Sequence, residues 1–216
     1  MTDTLSSPAN PIAHDDLARL RALAEEGRIR PLLGGRELVL YGVAIALAAM
    51  LHALIGMRVL AWPLWSIAAV WLVIMSATGL VARAARASED RPAPATTAAL
   101  VERQVWQVAG ATLGTLALAI LAYAYLALSR GDDTGFRLFV LMPPVVFGVY
   151  AIAMAASATA AHSDTLRPFA VLSIAFLVAT TLLAGTAWQL FATALGGIVV
   201  SVVPGMLLLR RERDRG

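Results

Sequence analysis

From Phe169 to Leu209 no side chain carries a charge, and nothing else in the sequence limits the fold as strongly. As a single helix this run would be about 62 Å long, twice the roughly 30 Å hydrocarbon core of a bilayer. It therefore has to fold back on itself. Two apolar helices joined by a tight turn near Gly185–Leu190 satisfy the length, with Trp188 and Gln189 suited to a membrane interface at the turn.

The rest of the chain reads the same way. Of its 216 residues, 59% are hydrophobic and 14% charged, with a mean hydropathy of +0.75. Soluble domains are nearer 45–50% apolar and about 25% charged. Six apolar segments are expected, at about 38–57, 62–82, 105–128, 138–160, 168–187 and 190–209. The expected fold class is all-α: a polytopic membrane protein built as a six-transmembrane-helix bundle. What remains outside the membrane is too little for a soluble catalytic domain of usual size.

The arginines set the expected orientation. All 17 basic residues are Arg. Fourteen lie on one side: Arg19, Arg21, Arg28, Arg30 and Arg36 in the N-tail, Arg83, Arg86, Arg91 and Arg103 after span two, Arg167, and Arg210, Arg211, Arg213 and Arg215 at the end. Only Arg58, Arg130 and Arg137 fall on the other. Such asymmetry places both termini in the cytoplasm. The lack of Lys, with abundant Ala, Leu and Val, reads as a GC-rich bacterial genome, so the expected location is a bacterial inner membrane. No short apolar core precedes an A-x-A site, so the first segment reads as a retained span. The positive charge lies in juxtamembrane blocks, a pattern of membrane topology, and no nucleic-acid partner is expected.

Three parts follow: a cytoplasmic N-tail over 1–37, the membrane domain over 38–209, and an Arg-rich C-tail over 210–216. Within the N-tail, residues 15–27 (DDLARLRALAEEG) read as a short amphipathic helix. Asp15 and Asp16 favour its start, Gly27 its end, and Leu17, Leu20 and Leu23 make an apolar face. That face, with Arg28, Arg30 and Arg36, suits either anionic membrane lipid or a protein partner on the cytoplasmic side.

Intramembrane ionisable groups normally mark ion paths and catalysis. Here the chief one is His52, best read as a neutral imidazole bonded to a neighbouring helix. Absent cysteine excludes thiolate metal sites and disulfides, and absent Lys excludes Schiff-base chemistry. Asp133-Thr134-Gly135 spells the aspartic-protease triplet once, where the chemistry needs two carboxylates. His162-Ser163-Asp164 holds triad residue types, but sequence neighbours seldom share a centre. Glu25, Glu26 and Arg30 match an E-E-x-x-x-R string that works only within a membrane helix. No catalytic, cofactor-binding or metal site is expected, and the chain reads as non-enzymatic.

Two packing signals stand out. Gly110 and Gly114 form a G-x-x-x-G in span three, a motif for close helix packing in a bundle or homo-oligomer. Met142-Pro143-Pro144 removes two amide donors, so span four must kink or begin there. The leading expectation is an accessory, regulatory or assembly component acting through its cytoplasmic tails. The alternative is a small transporter or channel for a neutral or apolar solute, lined by His52, Pro143, Pro144 and Tyr150.

Overall fold

The computed structural model describes residues 35–63, 65–87, 97–132, 134–160 and 164–214. Every regular element in these residues is helical. In order they are α1 (Gly35–Gly56), α2 (Ser66–Ala87), α3 (Thr97–Leu128), a 3-10 segment (Thr134–Leu141) running into α4 (Met142–Ala160), α5 (Arg167–Leu182), α6 (Ala187–Gly196), a π segment (Gly197–Val202) and α7 (Val203–Arg213). The last three form one continuous rod, so the described residues make six apolar rods. Five are long and apolar enough to cross a membrane, and the sixth, α5, is an apolar helix of 16 residues. This is compatible with a multi-pass membrane protein. The fold-back, expected near Gly185–Leu190, lies at 183–186 between α5 and α6, with Trp188 and Gln189 already in the first turn of α6.

Paired contacts show the rods alternating in direction. Early α1 meets late α7 and late α1 meets early α2, while Trp106 of α3 meets Tyr150 and Ser157 of α4. The packing order is α2, α1, the α6–π–α7 rod, α5, α4, α3. One buried cluster joins four of them: Leu38 and Ile45 from α1, Tyr150, Met154 and Ala158 from α4, Leu166 and Ala170 at α5, Val200 from the π segment and Leu208 from α7; partly buried Met75 of α2 and Trp106 of α3 pack against it. In lipid, where tails are as apolar as leucine, such a core coheres by packing density and interhelical hydrogen bonds.

Glycine provides the density, though not where the G-x-x-x-G motif places it. A β-carbon at Gly42 would lie 2.7 Å from Val202 Cγ2 and 2.8 Å from the Gly197 carbonyl oxygen. One at Gly205 would come within 2.6 Å of the Gly35 carbonyl oxygen. Gly197, Ser201 and Gly205, at spacing four, thus let α1 lie backbone-to-backbone along the last rod. Gly110 and Gly114 have open space where a β-carbon would stand. Within this chain the expected packing role of that pair is replaced by the Gly35/Gly42 and Gly197/Gly205 pairs.

Two backbone irregularities appear where sequence reasoning expected one. The Pro143-Pro144 pair does not kink a helix: α4 begins at Met142, with the prolines in its first turn, where absent amides cost least. The second irregularity is the π segment. Pro204 leaves the Val200 carbonyl without its usual donor four residues on. The ladder there widens, with the Val203 amide bonded to Ile198 O, five residues back.

Candidate functional site

Several polar groups inside the bundle gather into three knots that tie helices together, while the buried Ser173 and Thr193 hydroxyls bond to their own helices. The first lies at the turn between α5 and α6. Val140 precedes Pro143 by three and Pro144 by four, so neither a 3-10 nor an α-helical bond can reach its carbonyl. The side chain of Gln189, 3% exposed, supplies the donor: its Nε2 lies 2.7 Å from Val140 O and 3.0 Å from Thr180 O. Its Oε1 accepts the Gly185 amide at 3.2 Å, fixing a turn in which Gly185 takes φ +78°. One carboxamide thus joins the start of α4, the end of α5 and the start of α6.

The second knot lies nearer the arginine-rich end. Trp106 Nε1 donates to Ser157 Oγ at 3.0 Å and its ring meets Tyr150 edge-on, centroids 5.2 Å apart. The Tyr150 phenol is hydrogen-bonded to Ser201. Ser201 Oγ in turn donates to Leu38 O at 2.7 Å, so the π segment is bonded directly to the α1 backbone. Glu102, one turn before Trp106, is 2% exposed and partnered.

The third knot joins α1 and α2: Trp71 Nε1 donates to His52 Nδ1 at 3.3 Å. The imidazole accepts at Nδ1, so its neutral form carries the proton on Nε2. Among the described residues no buried side-chain nitrogen or oxygen lacks a hydrogen-bond partner, and no group of three His, Asp or Glu side chains forms a metal cage.

The residues expected to line a solute path are therefore not brought together. His52 belongs to the α1–α2 contact, Pro143 and Pro144 to the Gln189 turn, and Tyr150 to the Ser201 knot. Arg36 is exposed in the first turn of α1. Leu17, Leu20, Leu23, Arg28 and Arg30, with the helix expected over 15–27, lie outside the described residues, as do Asp133 and His162-Ser163. The neighbours of Asp133 form a polar turn: Asp132 Oδ1 accepts the Thr134 amide at 2.8 Å. Bonds from Thr134 hold the Asp132 carboxyl below its ordinary range. Gly135 is needed for packing, since a β-carbon there would lie 2.7 Å from Ala124 Cα.

Sequence reasoning missed Gln189 and Glu102 as bundle residues, and read Ser201 only as one of the small packing residues of span six. Thr186-x-x-Gln189 has capping-box spacing, and that signal was there to be read. Nothing local marks Glu102 or the hydrogen bond made by Ser201, which depend on helices distant in sequence.

At the arginine-rich end, Arg211 donates to the Thr165 hydroxyl, tying the end of α7 to the chain just before α5. Arg167 pairs with Asp164 at 3.1 Å on the surface. Neither a protein-family model, nor a curated protein sequence, nor a solved structure matches this chain.

Proposed function

We propose that this chain is a six-span bacterial inner-membrane protein with both termini in the cytoplasm, and that it serves as a non-enzymatic accessory, regulatory or assembly component. It acts through its cytoplasmic tails. The observation that carries this reading is the use of polar groups inside the bundle. Gln189, Ser157, Ser201 and His52 are each engaged in a bond between helices or across the outer turn, as in a fixed scaffold. The 14-to-3 arginine split supports the orientation, and with it the N-tail as the largest surface available to a partner.

The test is co-purification of the full chain in mild detergent, compared with a variant carrying Leu17→Ser, Leu20→Ser and Leu23→Ser. A protein recovered in fixed ratio with the wild type and lost with the variant supports docking through the tail. Equal recovery with both removes the tail from the account.

A further inference from the structure

Among the described residues the arginine-rich end holds a step, or notch, where α5 starts below the end of α7. Helix α5 has 16 residues, about 24 Å of rise, against a hydrocarbon core of roughly 30 Å. Its far end is pinned by the Gln189 turn, so the shortfall falls at its start. The adjoining rod does not stop there. Leu208 shares a buried cluster with Leu166, and α7 continues beyond that level to Arg213. The start of α5 is thus overhung by the charged end of α7.

The side chains at the notch are cationic. Arg167 opens α5, and Leu166 before it makes no side-chain cap. Helical side chains lean toward the helix N-terminus, so Arg211 reaches back from α7 toward the bundle, where Thr165 holds its guanidinium. Arg210 and Arg213 stand beside it, and Arg36 lies close by, because α1 begins against Gly205 and Leu209. Among the described side chains the acids of this rim are Glu37, which is partnered, Asp214 just after α7, and Asp164, whose bond to Arg167 is solvent-exposed; in the sequence Glu212 stands between Arg211 and Arg213. An exposed pair of that kind is weak and open to exchange.

We propose that this notch binds the phosphate of an anionic phospholipid, with Arg211 and Arg167 as its principal ligands and Thr165 positioning Arg211. A short helix draws the headgroup region inward to meet its end. Planar guanidinium forks match phosphate oxygens in two-point contacts. The fold-level orientation proposed above decides only which leaflet supplies the lipid; the binding site stands or falls separately.

The experiment uses the full chain in nanodiscs of mixed phosphatidylglycerol and phosphatidylcholine, ejected into a native mass spectrometer. The wild type is expected to retain phosphatidylglycerol in preference to phosphatidylcholine. Arg211→Gln and Arg167→Gln each lower that retention about tenfold, the equivalent of one charge-assisted contact. Thr165→Val, which keeps every charge, lowers it less, and Arg130→Gln at the opposite end leaves it unchanged. Thermal unfolding of each variant in detergent verifies that the bundle is intact. No headgroup preference in the wild type overturns the proposal, as does equal loss in Arg130→Gln and Arg211→Gln. Displacement of the lipid by millimolar inorganic phosphate would make the notch a general anion site and overturn the assignment to lipid.

Discussion

The carboxamide of Gln189 stands 2.7 Å from the carbonyl of Val140, in the place of the amide that Pro143 and Pro144 cannot supply. Replacing it with Leu keeps the bulk and removes the donor. The orphaned carbonyl and the freed end of α5 then lower unfolding stability in detergent by about 1–3 kcal/mol. The 183–186 turn becomes the first site of proteolysis. A Gln189→Leu protein as stable as wild type would refute this role.

Glycine variants separate the two glycine sets. Gly42→Leu and Gly205→Leu drive a side chain into an opposing carbonyl oxygen and a valine methyl, and cost about the 1–3 kcal/mol typical of overpacking. Gly110→Leu and Gly114→Leu face open space and change stability by no more than about 0.5 kcal/mol. Thermal unfolding of the four variants gives the ranking. A loss at Gly110 without one at Gly42 would put the tight helix contact between chains.

Trp106 and Ser157 form a pair suited to a double-mutant cycle with Trp106→Phe and Ser157→Ala. Interhelical hydrogen bonds of this kind in membranes couple by about 0.6 kcal/mol on average, rising to roughly 1.7. Coupling in that range is expected here. Strict additivity would show that the 3.0 Å contact is incidental to packing.

Arg58 occupies φ 60° at the end of α1, where Val59 and Arg58 amides turn back to Leu54 and Ile55 carbonyls. That arrangement normally carries glycine. Arg58→Gly removes a β-carbon from the left-handed conformation and stabilises the protein by about 1 kcal/mol. Destabilisation would mean that the arginine side chain contributes more than its backbone strain costs.

These relationships show where the sequence was legible. The fold-back between Phe169 and Leu209 follows from length against bilayer thickness, though the turn falls at 183–186, a few residues before the centre of the expected Gly185–Leu190 stretch. Helix type follows from the need to satisfy every backbone group without water. The pairing of Gly42 with Gly197, or Ser201 with Leu38, was not legible. A small residue in an apolar run looks the same whether it meets a neighbouring backbone or lipid. Gly110 and Gly114 illustrate this: the better motif by spacing faces open space, while Gly35 and Gly42, seven apart, make the close contact. Pro204 forms no pair as Pro143-Pro144 does, and the π segment that precedes it lies beside Gly42 only in the packed bundle.

The chain contains no cysteine, so single-cysteine labelling can test the orientation on which its proposed function rests. Ser7→Cys, Asp132→Cys, Ala184→Cys and Asp214→Cys sample both termini and the turns after α3 and α5. With an impermeant maleimide added to spheroplasts, Asp132→Cys and Ala184→Cys are labelled, and Ser7→Cys and Asp214→Cys react only after lysis. Opposite labelling of Asp132→Cys and Ala184→Cys would remove α5 from the count of spans. Labelling of Ser7→Cys from outside would contradict the cytoplasmic tail and the function assigned to it.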